Sequence, residues 1–236
     1  MAAGRILFFA ALVGVCSAQS RAPVLVELFT SEGCSSCPPA DRLLEKLDPE
    51  AIVLSEHVDY WDHQGWKDPF ATHAFTTRQQ AYGRILNTEG VYTPQMVIDG
   101  QKEFVGSDGK QAGEAIARAA RGKKAEVRLS RSDAGLQVDV SAAPGSADVF
   151  LALADDSATS QVAAGENNGR RLRHVAVLRS LQKIGAVKRG GGFSRLVELP
   201  RGTEAQRVIV FLQDSGPGRV SGAAMLPAAN RSTASR

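Results

Sequence analysis

Cysteine is scarce in this chain of 236 residues, which carries three, and the scarcity narrows its chemistry. Cys16 lies at the end of an apolar N-terminal run, and Cys34 and Cys37 form a single C-x-x-C. Without Cys16, a framework of long-range disulfides is excluded. A four-ligand zinc site is disfavoured too, because no second C-x-x-C completes the ligand set. Aromatic residues are few, at 6%, and no lysine–arginine stripe is interleaved with them, so nucleic acid is not an expected partner. Self-similarity at a fixed spacing is not visible. Beyond residue 15 no apolar run approaches the roughly 20 residues of a membrane-spanning helix, so no stable membrane insertion is expected. The remaining balance, 43% hydrophobic and 22% charged with a net charge of +3, is that of an ordinary globular chain.

The N-terminus reads as a processing segment. Met1 to Arg5 is a short basic start, Ile6 to Val15 is apolar, and Cys16-Ser17-Ala18 supplies small residues before a cleavage point. The expectation is a signal peptide over 1–18 and a periplasmic or secreted mature protein. Val15 stands where a lipid-attachment site has a small residue, so plain secretion is preferred to a lipoprotein. Export places the two remaining cysteines where thiols oxidise. A pair so close in sequence restricts the unfolded chain little, which favours a catalytic over a structural role.

Val24 to Phe29 is a nearly continuous β-forming run, suited to a strand covered on both faces. Turn residues Thr30 to Gly33 follow, then the cysteines, then Pro38 and Pro39, which are tolerated in a first helical turn. Leu43, Leu44 and Leu47 give that helix one apolar stripe. A second strand starts at Ile52, a helix is expected over 71–86, and Asp99-Gly100 marks a hairpin between Gln95–Ile98 and Glu103–Val105. An amphipathic helix over 107–121 completes the element order of a minimal thioredoxin fold. After Gly122-Lys123-Lys124 the pattern changes to seven short strand candidates, as in a β-sandwich. The predicted organisation is thus an α/β thioredoxin-like domain over 23–122, an all-β, sandwich-like domain over 125–228, and a flexible tail over 229–236.

A thiol becomes nucleophilic when ionised, and a helix N-terminus favours the thiolate. The sequence places Cys34 at the start of the first helix and Cys37 one turn further in. Cys34 is the candidate nucleophile and Cys37 the resolving thiol, meeting within one helical turn. The pair is itself the redox group, so no cofactor is called for.

The run Phe29-Thr30-Ser31-Glu32-Gly33-Cys34-Ser35-Ser36-Cys37-Pro38-Pro39-Ala40-Asp41 resembles the signature of a family of exported bacterial proteins. That family has a thioredoxin-like fold and is known only as a domain of unknown function. His57–Asp62, Gly65–Phe70, Tyr92–Gln95 and Gly165–His174 resemble it as well. The resemblance implies fold and export and supplies no substrate. Likeness to thioredoxin-like proteins further implies a cis bond at Thr93-Pro94, lying against the cysteines with Thr93 free to pair with a substrate.

Asp59, Trp61 and Trp66 are candidates for the rim of the site, Asp59 as a proton shuttle and the tryptophans as a surface for peptide or small ligand. An Asp turn pinned by Trp packing accounts for them equally well. Arg170 and His174 belong to a Gly-Asn loop that would recognise an anion, dock beside Cys34, or serve only as a polar hairpin. The leading expectation is thiol–disulfide exchange with protein or small-molecule partners. The alternatives are a copper chaperone using the cysteines with His57 or His174, and a binding module with a fixed disulfide.

Overall fold

The computed structural model describes residues 21–229. The leader expected at 1–18, with Cys16, and all but the first residue of the expected tail lie outside these residues. In chain order the elements are β1 (Leu25–Thr30), α1 (Pro38–Leu47), β2 (Ile52–His57), α2 (His73–Leu86), β3 (Gln95–Ile98), β4 (Lys102–Val105) and α3 (Gly109–Ala119). Seven further strands follow: β5 (Val127–Ser132), β6 (Gly135–Val140), β7 (Ala147–Gln161), β8 (Arg171–Val187), β9 (Phe193–Val197), β10 (Gln206–Gln213) and β11 (Val220–Leu226). The result is a mostly-sheet α/β architecture. An eight-stranded sheet runs β11-β10-β7-β8-β2-β1-β3-β4, and a three-stranded sheet runs β5-β6-β9.

All six residues of β1 are buried, because helices or strands cover both of its faces. Val26 and Leu28 pack with Leu44 of α1, Met96 of β3 and Ile116 of α3. Leu25 packs the other way, with Ile52, Leu54 and Phe75 of α2. Full burial of each such side chain is worth about 1.5–3 kcal/mol. β1 pairs parallel with β2 and antiparallel with β3, so the loops after β1 and before β3 emerge at the same end. That shared end positions the site.

Strands from both halves of the chain join one sheet. Ser55 of β2 registers with Val177 of β8 in a parallel pair. Buried Arg207 of β10 adds a second tie, its Nε 2.7 Å from Asp156 Oδ1 and its Nη2 3.0 Å from Asp48 Oδ2, just past α1. β7 and β8 are far longer than the short segments expected around Val149–Leu153 and Arg173–Arg179, at 15 and 17 residues. They pair from Ala147↔Val187 to Gln161↔Arg171, carrying their connecting loop to the end of β1. The small sheet lies across them, with Leu136 and Val138 packed on Val149, Leu151, Val208 and Val210.

α1 begins at Pro38, with Cys37 as its N-cap, which corrects the expectation that Cys34 opens the helix. Pro38 and Pro39 have no N–H to donate to the carbonyls of Cys34 and Ser35, so the first i→i−4 bond is Asp41 N to Cys37 O, at 3.1 Å. Cys34 therefore sits in a tight turn just ahead of the helix. Among the described residues no helix is long and apolar enough to cross a membrane.

Candidate functional site

Cys34 and Cys37 form a disulfide, and both residues are fully buried. Ser36 Oγ lies 3.3 Å from Cys34 Sγ and donates to Thr93 O at 3.5 Å, which brings the Thr93–Pro94 segment against the cysteine turn. The Thr93–Pro94 peptide is cis. Gly33 lets the turn close on its neighbour: a Cβ there would fall 2.9 Å from Trp61 Cβ, nearer than real side chains approach. Trp61 Nε1 in turn donates to Thr93 Oγ1 at 2.8 Å, so the Trp61 side chain runs from beside Gly33 at its Cβ to Thr93 at its indole nitrogen.

The loop between β7 and β8 covers the disulfide. Glu166 Oε2 accepts Ser35 N–H at 2.9 Å. Hydrogen bonding from the Ser35 side chain, and then from its backbone N–H, holds the Glu166 carboxyl below its ordinary range. The buried Asn167 amide donates to Glu32 O at 2.8 Å and to Cys34 O at 2.9 Å. Arg170 is exposed and does not reach the sulfurs. Its Nη1 donates to Asn167 Oδ1 at 3.0 Å and so orients the amide that does reach the turn.

Behind the turn sits a buried charged cluster centred on Glu32. Its carboxylate accepts from Trp66 Nε1 at 2.9 Å, from His174 Nε2 at 3.2 Å and from Ser160 Oγ. His174 Nδ1 is 3.6 Å from Asp41 Oδ1, which also accepts from Thr30 Oγ1 at 2.9 Å. Burial alone would lower the His174 pKa, but hydrogen bonds and charge from Asp41 and Glu32 outweigh it and raise it to about 10. The two carboxylates thus favour the protonated imidazolium form of His174 at neutral pH. His57 packs edge-on against it, ring centroids 4.6 Å apart, with Nδ1 2.7 Å from Asp68 Oδ2. Among the described residues no group of three or more His, Cys, Asp and Glu is arranged to hold a metal ion.

Of the residues singled out in the sequence, Cys34, Cys37, Thr93, Pro94 and Trp61 come together directly. Trp66 and His174 reach them through Glu32. Asp59 stands apart: it accepts from Thr76 Oγ1 at 2.5 Å and pairs with exposed His73 at 3.1 Å, anchoring the start of α2. Glu32, Asp41, Glu166 and Asn167 carried no individual assignment. Two signals pointed to them: Asp41 follows Cys37 by four residues, hence one helical turn on the same face, and Glu166-Asn167 sits in the Gly-Asn loop.

A second buried polar cluster lies away from the cysteines. Arg78 donates to Glu27 Oε1 (Nε, 2.8 Å) and Gln213 Oε1 (Nη2, 2.9 Å), while Tyr82 OH donates to Glu27 Oε2. Burial first, then the neighbouring Glu27 charge, raises the Glu56 carboxyl well above its ordinary value. These groups tie α2 to the sheet.

Among proteins of curated function, none matches the chain significantly. A crystal structure of protein AGR_C_4864 from Agrobacterium tumefaciens is similar at 31% identity, with a TM-score of 0.79, over 93% of this chain and 100% of that one. HBP35 of Porphyromonas gingivalis is similar in fold alone, at 14% identity and a TM-score of 0.60, over 92% of this chain and 78% of that one. The family described as "Protein of unknown function (DUF1223)" matches residues 25–213, a span holding both cysteines, Thr93–Pro94 and the covering loop, and the chain belongs to that family.

Proposed function

We propose that this chain is an exported, thioredoxin-like protein that exchanges disulfides through Cys34 and Cys37 with protein or small-molecule thiols. The observation that carries the proposal is the disulfide held in a turn directly ahead of α1 and against the Thr93–Pro94 segment. The strand–helix–strand–helix–hairpin–helix order around it supports the thioredoxin-like reading. In the exchange, a substrate thiolate attacks Cys34 Sγ, the Cys34–Cys37 bond breaks, and Cys37 leaves as a thiolate that takes up a proton. A second substrate thiolate then attacks the mixed disulfide and releases the Cys34 thiolate. Two electrons pass to the cysteine pair, and the substrate departs as its disulfide; the reverse sequence oxidises the pair again. Ser36 Oγ can donate to the Cys34 thiolate, and the N-terminus of α1 favours negative charge on either sulfur.

Because both cysteines are fully buried, the loop carrying Glu166 and Asn167 must lift before a partner can attack. That burial also favours a second reading, a binding module in which the disulfide is fixed. Trapping separates them. A Cys37→Ser variant should accumulate mixed disulfides through Cys34, both with glutathione and in envelope extracts, and Cys34→Ser should accumulate none. A folded Cys37→Ser variant that forms no adduct, even with Asn167→Ala added to loosen the loop, would favour the fixed disulfide.

A further inference from the structure

A separate cavity lies at the opposite end of β3 from Pro94, roughly 13 Å away along the strand at 3.3 Å per residue. There the Asp99–Gly100 turn is held by other segments. Asp99 N donates to Leu25 O at 2.9 Å, Asp99 O accepts from Val220 N at 2.8 Å, and Asp99 Oδ1 accepts from Leu25 N at 2.9 Å. Gly100 is pressed on the loop before β11, since a Cβ would fall 2.0 Å from Gly218 O. Ala125 N donates to Ser221 O at 2.8 Å, bringing Lys124 beside the start of β11. Together these bonds frame a cavity of about 490 Å³ between the β3–β4 turn, the C-terminal end of α3 and β11.

The charge lining this cavity is one-sided. Lys102, Arg118, Lys124 and Arg219 face it, against the single carboxylate of Asp99. That carboxylate is already engaged: Lys124 Nζ lies 2.5 Å from Asp99 Oδ2, and the Lys124 side chain is only 4% exposed. Arg219 donates to a backbone carbonyl, Lys123 O, at 3.2 Å, and has no carboxylate partner among the described residues. The side chains of Lys102 and Arg118 have neither a hydrogen bond nor an ion pair among the described residues. The crowding is felt at Lys124, whose pKa is lowered by burial and further by Arg219, with Asp99 pulling the other way. A helix C-terminus attracts cations and accounts for Arg118 at the end of α3. It does not account for Lys102 or Arg219, which come from other segments. A concavity that gathers four cations against one already paired carboxylate is complementary to an anionic ligand.

We infer that this cavity binds a small, multiply charged oxyanion, whose charges meet Lys102, Arg118 and Arg219 above the Lys124–Asp99 pair. The volume also leaves room for an organic substituent against Ile98 and Val220. Calorimetric titration at low salt with pyrophosphate and with citrate tests the inference, the two probes separating phosphate from carboxylate chemistry. Binding of either is expected, weakened about tenfold for each charge reversal in Arg118→Glu and Arg219→Glu, about 1.4 kcal/mol apiece. Lys46→Glu, an exposed reversal on α1, should leave it unchanged. Both cavity residues are exposed, so unfolding midpoints should stay at the wild-type value and show that the variants are folded. Absence of binding by either probe overturns the inference. So does equal weakening by Lys46→Glu, which would mark a general effect of net charge.

Discussion

His174→Gln tests the charged cluster behind the disulfide. With His174 raised to about 10 in the folded chain, against about 6.5 when unfolded, the native state holds a proton that the unfolded state has lost across that interval. The stabilisation is fully present below about pH 6.5 and is lost as pH rises through about 10, at about 1.4 kcal/mol per pH unit. The whole interval corresponds to about 5 kcal/mol, an upper bound because Glu32 and Asp41 relax when the proton leaves. Gln keeps one hydrogen-bonding arm and cannot titrate. At pH 6.5 it should cost about 3–5 kcal/mol, since Glu32 and Asp41 are left buried without their cation. By pH 9 that cost should shrink by about 2–3 kcal/mol as the wild type gives up its own advantage. Urea unfolding at several pH values, followed by the fluorescence of Trp61 and Trp66, measures both curves. Glu56 adds a slope of the same sign to wild type and variant alike, so the difference between the two proteins is the quantity to read. A difference that stays constant from pH 6.5 to 9 would refute a native imidazolium at His174.

The covering loop yields a kinetic prediction. Asn167→Ala removes the two hydrogen bonds Asn167 makes to the cysteine turn, about 1 kcal/mol each, so reduction of the disulfide by dithiothreitol, measured by thiol alkylation, should quicken by roughly tenfold or more. Arg78→Met should cost about 3–5 kcal/mol in urea unfolding, because Glu27 loses its buried cation. Glu56→Gln should be near neutral at acid pH and progressively stabilising above about pH 4.5. The native carboxyl is raised, so its stability is greatest below the unfolded value and falls as pH climbs toward the folded one. Gly33→Ala should cost about 1–3 kcal/mol by forcing a Cβ into Trp61, with a matching drop in melting temperature.

The strand, cysteine turn and proline-started helix were legible because each rests on local chemistry: the apolar run of β1, the missing N–H groups of Pro38 and Pro39, and the leucine stripe of α1. The Asp99–Gly100 hairpin was legible for the same reason. Strand lengths were not. The outer part of β7, Asp155–Gln161, is polar and part-exposed, so it carries no apolar signal and is a strand through its pairing with β8. Rim carboxylate and structural turn were equally open for Asp59 in the sequence, and its side-chain bonds go to Thr76 and His73 of α2.

The sequence by itself determined that Cys34 and Cys37 form a close C-x-x-C pair between a buried strand and a proline-started helix. Only the tertiary structure decided what surrounds that pair. Ser160, Asn167 and His174 reach Glu32 from 128, 135 and 142 residues away, a distance no periodicity or spacing encodes. They arrive because β8 pairs with β2 and a 15-residue β7 extends the hairpin past the sheet end. The same hairpin covers the sulfurs and sets His174 between the carboxylates of Glu32 and Asp41.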